Sequence, residues 1–102
     1  MSEQPPILIR IDPDLKAIVP KYLANRARDC AALREQAATG AFGDAKRLGH
    51  NMKGTGGGYG FEEVSRLGDL IELASVAGDA PRIVSLSDEL ADYLSRVAVI
   101  YE

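Results

Sequence analysis

From Leu15 onward, apolar residues recur at steps of three and four, the spacing that lines one face of an α-helix. The first such run is Leu15, Ile18, Val19, Tyr22, Leu23, Ala27, Cys30, Leu33 and Ala37. It predicts a helix from the start signal Asp12-Pro13-Asp14, an acidic cap with proline in the first turn, to a stop at Gly40. Pro20 falls inside the run and removes a backbone donor, so either a kink or a short helix running into a longer one is expected there. A second run begins near Ala41 or Phe42, and its inward positions are Phe42, Ala45, Gly49, Met52, Gly56 and Tyr59. This spacing predicts a helix that continues through the glycines and stops at a left-handed Gly60.

Phe61, Val64, Leu67, Gly68, Ile71 and Ala74 form the stripe of a third helix that ends at Gly78, with Glu62 and Glu63 where negative charge suits the helix dipole. Asp79 and Pro81 open a fourth, with Ile83, Leu86, Leu90, Tyr93, Leu94, Val97 and Ile100 on a face that runs nearly to Glu102. No strand pattern competes after residue 12. The short connections predict an all-α fold, an antiparallel up-down four-helix bundle over residues 12–102. Residues 1–11 form an N-terminal extension. Its alternating Ile7, Ile9 and Ile11 read either as an extended arm laid on the bundle or, preferred slightly, as a partly ordered terminus.

A chain of 102 residues suits one domain with one modest core. No apolar run approaches the roughly 18 residues of a membrane span, and the start has neither a basic region nor an apolar core of signal-peptide length. A soluble, cytoplasmic protein is expected, with no membrane partner. The net charge of −3 argues against nucleic-acid binding, which needs clustered Lys and Arg to neutralise phosphates. Cys30 has no second cysteine to pair with and shares a helical face with Ala27 and Leu33, so it reads as a small core residue. Asp88, Glu89, Asp92 and Arg96 read as the solvated face of the last helix.

The chemistry concentrates between Gly49 and Gly60, G-H-N-M-K-G-T-G-G-G-Y-G, which holds the single histidine. On a helix His50 lies opposite Phe42, Ala45, Leu48 and Met52, on the solvent side, and shares its face with Lys46, Arg47, Lys53 and Gly54. These cations can offset negative charge on a group that approaches the ring. A neutral imidazole has a lone pair for attack on phosphorus, and Lys53, one turn away, can meet phosphoryl oxygens. Five glycines within residues 54–60 are expensive in a helix, at about 1 kcal/mol each relative to alanine, and so imply a loop or a close approach of another surface. Neither a Walker loop nor G-x-G-x-x-G can be read from them. No acid–base pair is visible around His50, which argues against a hydrolase. No ligand cluster for a metal is evident.

His50, Met52, Lys53, Gly54 and Gly60 match the spacing H-x-[LM]-K-G-x-x-x-x-x-G, and the chain here resembles the histidine-containing phosphotransfer domains of two-component signalling. The likeness covers nearly the whole chain, from Asp12 to Tyr101. Gly49, where the family often has alanine, and Gly56 to Gly58 depart from the pattern. The resemblance implies that His50 accepts a phosphoryl group from a receiver-domain aspartate or a kinase and passes it to another receiver, without kinase or hydrolase machinery of its own. Lys53 would assist the phosphoryl group, Gly54 would leave room for it, and Gly57, with Lys46 and Arg47, would meet the partner. The implied partners are response-regulator receivers and a sensor histidine kinase. No cofactor belongs to the module, and Mg²⁺ comes from the receiver. A monomer docking transiently is the simplest expectation. Two alternatives stand beside this reading: the phosphoacceptor domain of a larger chemotaxis-type or hybrid kinase, and a helical adaptor that binds without being phosphorylated.

Overall fold

A computed structural model describes residues 4–102; Met1, Ser2 and Glu3 of the expected extension lie outside the described residues. In chain order the elements are β1 (Ile7–Ile11), a 3-10 turn (Pro13–Leu15), α1 (Val19–Thr39), α2 (Phe42–Thr55), a 3-10 turn (Gly57–Tyr59), α3 (Glu62–Val76), α4 (Ala80–Arg96) and β2 (Val97–Tyr101). The four predicted helices are present, but helix is not the whole fold.

The start signal at Asp12 nucleates the 3-10 turn, where Asp12 Oδ1 accepts from the Asp14 N–H at 2.9 Å. The α-helix proper begins at Val19 with Pro20 in its first turn, where a missing N–H has no intrahelical partner to lose. Hence a short helix running into a longer one is what Pro20 produces. Ile18 stays 45% exposed just ahead of α1, and Ala27 is also exposed, so neither belongs to the inner stripe. Asp79 caps α4 by accepting from the Arg82 N–H at 3.1 Å. Gly40, Gly60 and Gly78 all adopt positive φ and end the segments before them.

The all-α expectation is corrected at both ends of the chain. β1 and β2 form a parallel pair with Ile7 beside Val97 and Ile11 beside Tyr101, and the Glu102 N–H donates to the Ile11 carbonyl at 3.1 Å. Val97 and Ile100, expected on the last helix, therefore lie in a strand. Val-Ala-Val-Ile-Tyr is rich in β-branched and aromatic side chains, and its alternate residues Val97, Val99 and Tyr101 pack against the core. The steps of three that joined Val97 and Ile100 to α4 were incidental. Once β1 offers a partner edge, the strand period wins. Of the two expectations for the extension, residues 7–11 take the extended-arm form, with Ile11 only 2% exposed. Arg96 also fastens this arm, donating from Nε to the Pro5 carbonyl at 3.2 Å while its Nη1 holds Asp92 at 3.1 Å.

The core is formed by the predicted stripes: Leu33 and Ala37 of α1, Ala45 and Met52 of α2, Val64, Leu67 and Ile71 of α3, and Ile83, Leu86 and Leu90 of α4, with Phe61 fully buried between α2 and α3. Cys30 is buried there too, and that burial raises its thiol pKa. The most extensive helix contact is α2 on α3, followed by α1 on α4. The α2–α3 contact is close because glycine faces backbone. A Cβ on Gly49 would stand 2.7 Å from the Glu72 nitrogen and 2.8 Å from the Gly68 oxygen, and one on Gly68 would stand 2.6 Å from the Lys53 nitrogen. Tyr22 closes the end of this pair by stacking on Tyr59 at 4.3 Å between ring centroids and hydrogen-bonding Thr55 Oγ1 at 2.9 Å.

Candidate functional site

The approach of α2 to α3 determines what surrounds His50. Gly49 is buried against α3, which turns its neighbour His50 outward with a side chain 70% exposed. Glu72, one turn beyond Gly68 on α3, then lies within reach: its Oε2 is 3.1 Å from His50 Nδ1. A carboxylate only accepts, so Nδ1 carries the proton and Nε2 keeps the lone pair. The expectation that no acid–base pair surrounds His50 is thus corrected. The pair is invisible along the chain because its members lie 22 positions apart on different helices.

Lys53 is on the same side of α2, but its ammonium is engaged. Nζ lies 3.1 Å from Asp69 Oδ1 and 4.0 Å from Glu72 Oε1, and hydrogen bonding to Asp69 is the main reason its pKa is raised. Lys46 and Arg47 line a shallow groove of ≈ 340 Å³ with Gly43, His50 and Glu72, and Arg47 is ion-paired with Asp44. Beside Gly54 nothing lies within 4 Å of an added Cβ, so the backbone there is open to a ligand or partner.

Gly57 lies beyond the end of α2. The α-helix ends at Thr55, and the chain tightens into the 3-10 turn, which corrects the expectation of an α-helix running to Tyr59. The cause is a second close contact: a Cβ on Gly56 would stand 2.6 Å from the Ser65 nitrogen, and Ser65 Oγ accepts from the Gly57 N–H at 2.8 Å while donating to the Lys53 carbonyl at 3.0 Å. Gly60, at φ 95°, is the stop that its position suggested.

Sequence reasoning thus brought His50, Lys53, Gly54, Lys46 and Arg47 to one face and missed the α3 half. Asp69 and Glu72 complete the charged site, and Leu73 and Val76, 60% and 68% exposed, extend the outward face of α3 beside it. One signal was available. Positions equally far from Phe61, 50 with 72 and 53 with 69, are those that meet when two helices fold back on a short connection.

Comparison of the chain with protein-family models, with curated proteins and with solved structures returned no match. The site is therefore read from its own chemistry. It offers an exposed imidazole with a defined proton, a carboxylate that can stabilise positive charge on the ring, an ammonium one turn away, and open backbone at Gly54.

Proposed function

We propose that the chain is a phosphorelay intermediate, a histidine-phosphotransfer module in which His50 receives a phosphoryl group from a receiver-domain aspartate or a kinase and hands it to another receiver. The observation that carries this reading is the His50–Glu72 hydrogen bond, at 3.1 Å, on the exposed histidine of H-x-M-K-G. The Nε2 lone pair forms the N–P bond as the O–P bond of the acyl phosphate breaks and its electron pair stays on the aspartate oxygen. The ring then bears a positive charge beside Glu72, which favours the charged ring. On return, the receiver carboxylate attacks phosphorus and neutral imidazole leaves. The Nδ1 proton need not move in either direction. Mg²⁺ and the acidic pocket belong to the receiver.

The architecture in this reading is an antiparallel up-down bundle. The facing of Gly49 and His50 on α2, and of Gly56 just past its end, with Gly68, Glu72 and Ser65 on α3 supports it. Lys46, Arg47, Leu73 and Val76 then form the docking face around His50, and a cytoplasmic setting with a kinase and receivers follows from the same reading. No helix among the described residues is long and apolar enough to cross a membrane.

His50→Gln is the direct test. Incubated with a receiver phosphorylated by acetyl phosphate, the wild type takes up acid-labile label, and the variant takes none while keeping its helical circular dichroism. Retained label on the variant overturns the proposal. A second reading has one observation in its favour, since Gly49 and Gly56 serve close helix packing. An adaptor built on that packing alone keeps receiver binding and signalling output in the His50→Gln variant, and the relay loses the output.

A further inference from the structure

The face around His50 carries three cations, Lys46, Arg47 and Lys53, and three carboxylates, Asp44, Asp69 and Glu72. It is balanced before any phosphoryl group arrives. Arg47 is held by Asp44, Glu72 holds the imidazole, and Lys53 is paired with Asp69 of α3 at 3.1 Å. A phosphoryl group on Nε2 brings up to two negative charges against the one positive charge the ring gains, so the face becomes net negative. Lys53, one turn from His50, is already claimed by Asp69, and Asp69 loses its partner if Lys53 moves to the phosphoryl oxygens.

We propose that Asp69 is a positioning residue that competes with the phosphoryl group for Lys53, and that this competition makes phosphorylated His50 a stronger donor and shifts the equilibrium toward the receiver aspartate. The proposal rests on the phosphoacceptor reading and adds to it a direction of flow. Asp69 takes no part in the bonds that form and break. It acts by leaving the N–P state with less cationic support than the motif alone suggests.

The experiment measures the equilibrium partition of label between the wild-type chain and a receiver phosphorylated by acetyl phosphate, followed by Asp69→Asn, Asp69→Glu, Lys53→Met and the double variant Asp69→Asn/Lys53→Met. Asp69→Asn moves the partition about two- to fivefold toward His50 at low salt, the upper part of the range for one exposed ion pair, and below about twofold in 1 M salt, where such pairs are screened. Asp69→Glu restores the wild-type partition. In the Lys53→Met background the Asp69→Asn shift falls below about twofold, as it must if Asp69 acts through Lys53. Before any phosphorylation, the Lys53 ammonium titrates lower in Asp69→Asn by NMR, as the ion pair requires; an unmoved Lys53 titration means that Asp69 does not hold the ammonium and overturns the inference. A labelled wild type with an unmoved Asp69→Asn partition overturns this inference alone, as does a full-size shift in the Lys53→Met background. A wild type that takes no label overturns the phosphoacceptor reading and this inference with it.

Discussion

Glu72 gives His50 a directed proton, and its contribution is separable from that of the imidazole. Glu72→Gln keeps an acceptor for Nδ1–H but removes the charge that supports a positive ring. On the proposed relay reading, phosphotransfer to His50 should slow by about tenfold, the difference between a charge-assisted and a neutral hydrogen bond, while the urea midpoint stays near that of the wild type. Stopped transfer assays with the same receiver measure it, and an unchanged rate refutes the role. A second residue-scale prediction concerns Tyr93, whose hydroxyl is buried without a hydrogen-bond partner among the described residues. Burial, with Glu63 and Tyr22 nearby, pushes its pKa up to about 12, whereas an unfolded tyrosine titrates near roughly 10. Between those values the unfolded chain binds fewer protons than the folded one. Stability is therefore complete below the unfolded pKa and falls as pH rises toward the folded one. Tyr93→Phe removes that part of the fall, and at pH 7 it should leave stability unchanged or raise it by roughly 1 kcal/mol, because no hydrogen bond is lost. Urea unfolding at neutral and high pH compares the two chains.

At the scale of the element, α2 owes its position to glycines of two kinds. Gly49 meets backbone on α3, whereas a Cβ on Gly54 would meet nothing within 4 Å. Gly49→Ala should force the helices apart, at a cost of about 1–3 kcal/mol, and move Glu72 away from His50. Gly54→Ala should stabilise the helix by up to about 1 kcal/mol. Urea midpoints that move together in one direction would contradict this assignment. The sequence placed both residues correctly, Gly49 inward and Gly54 on the histidine face, since helical spacing decides which side a residue faces. It did not show that the surface inside was the backbone of α3. Neither did it show that Gly56 and Ser65 would end the α-helix at Thr55, because a glycine run has no side chains whose spacing could mark the change to a 3-10 turn.

For the whole molecule, the two ends of the chain are joined through β1 and β2, and the radius of gyration, 13.5 Å, is that of one compact body. Ile11 is the buried end of this joint. Ile11→Ala should cost about 2–4 kcal/mol and lower the single urea midpoint, whereas a loosely attached extension would leave that midpoint unmoved. The local code determined the helices α1 to α4, their caps at Asp79 and stops at Gly40, Gly60 and Gly78, most of the core, and the placement of His50 among cations. Each of these depends on residues within a turn or two of one another. Tertiary structure alone decided that Val97–Tyr101 leaves the helical period to pair with Ile7–Ile11, and that Asp69 and Glu72 face Lys53 and His50. Contacts between residues 22 or 91 positions apart, such as His50 with Glu72 and Pro5 with Arg96, arise only when packing brings distant segments together. No local periodicity records them.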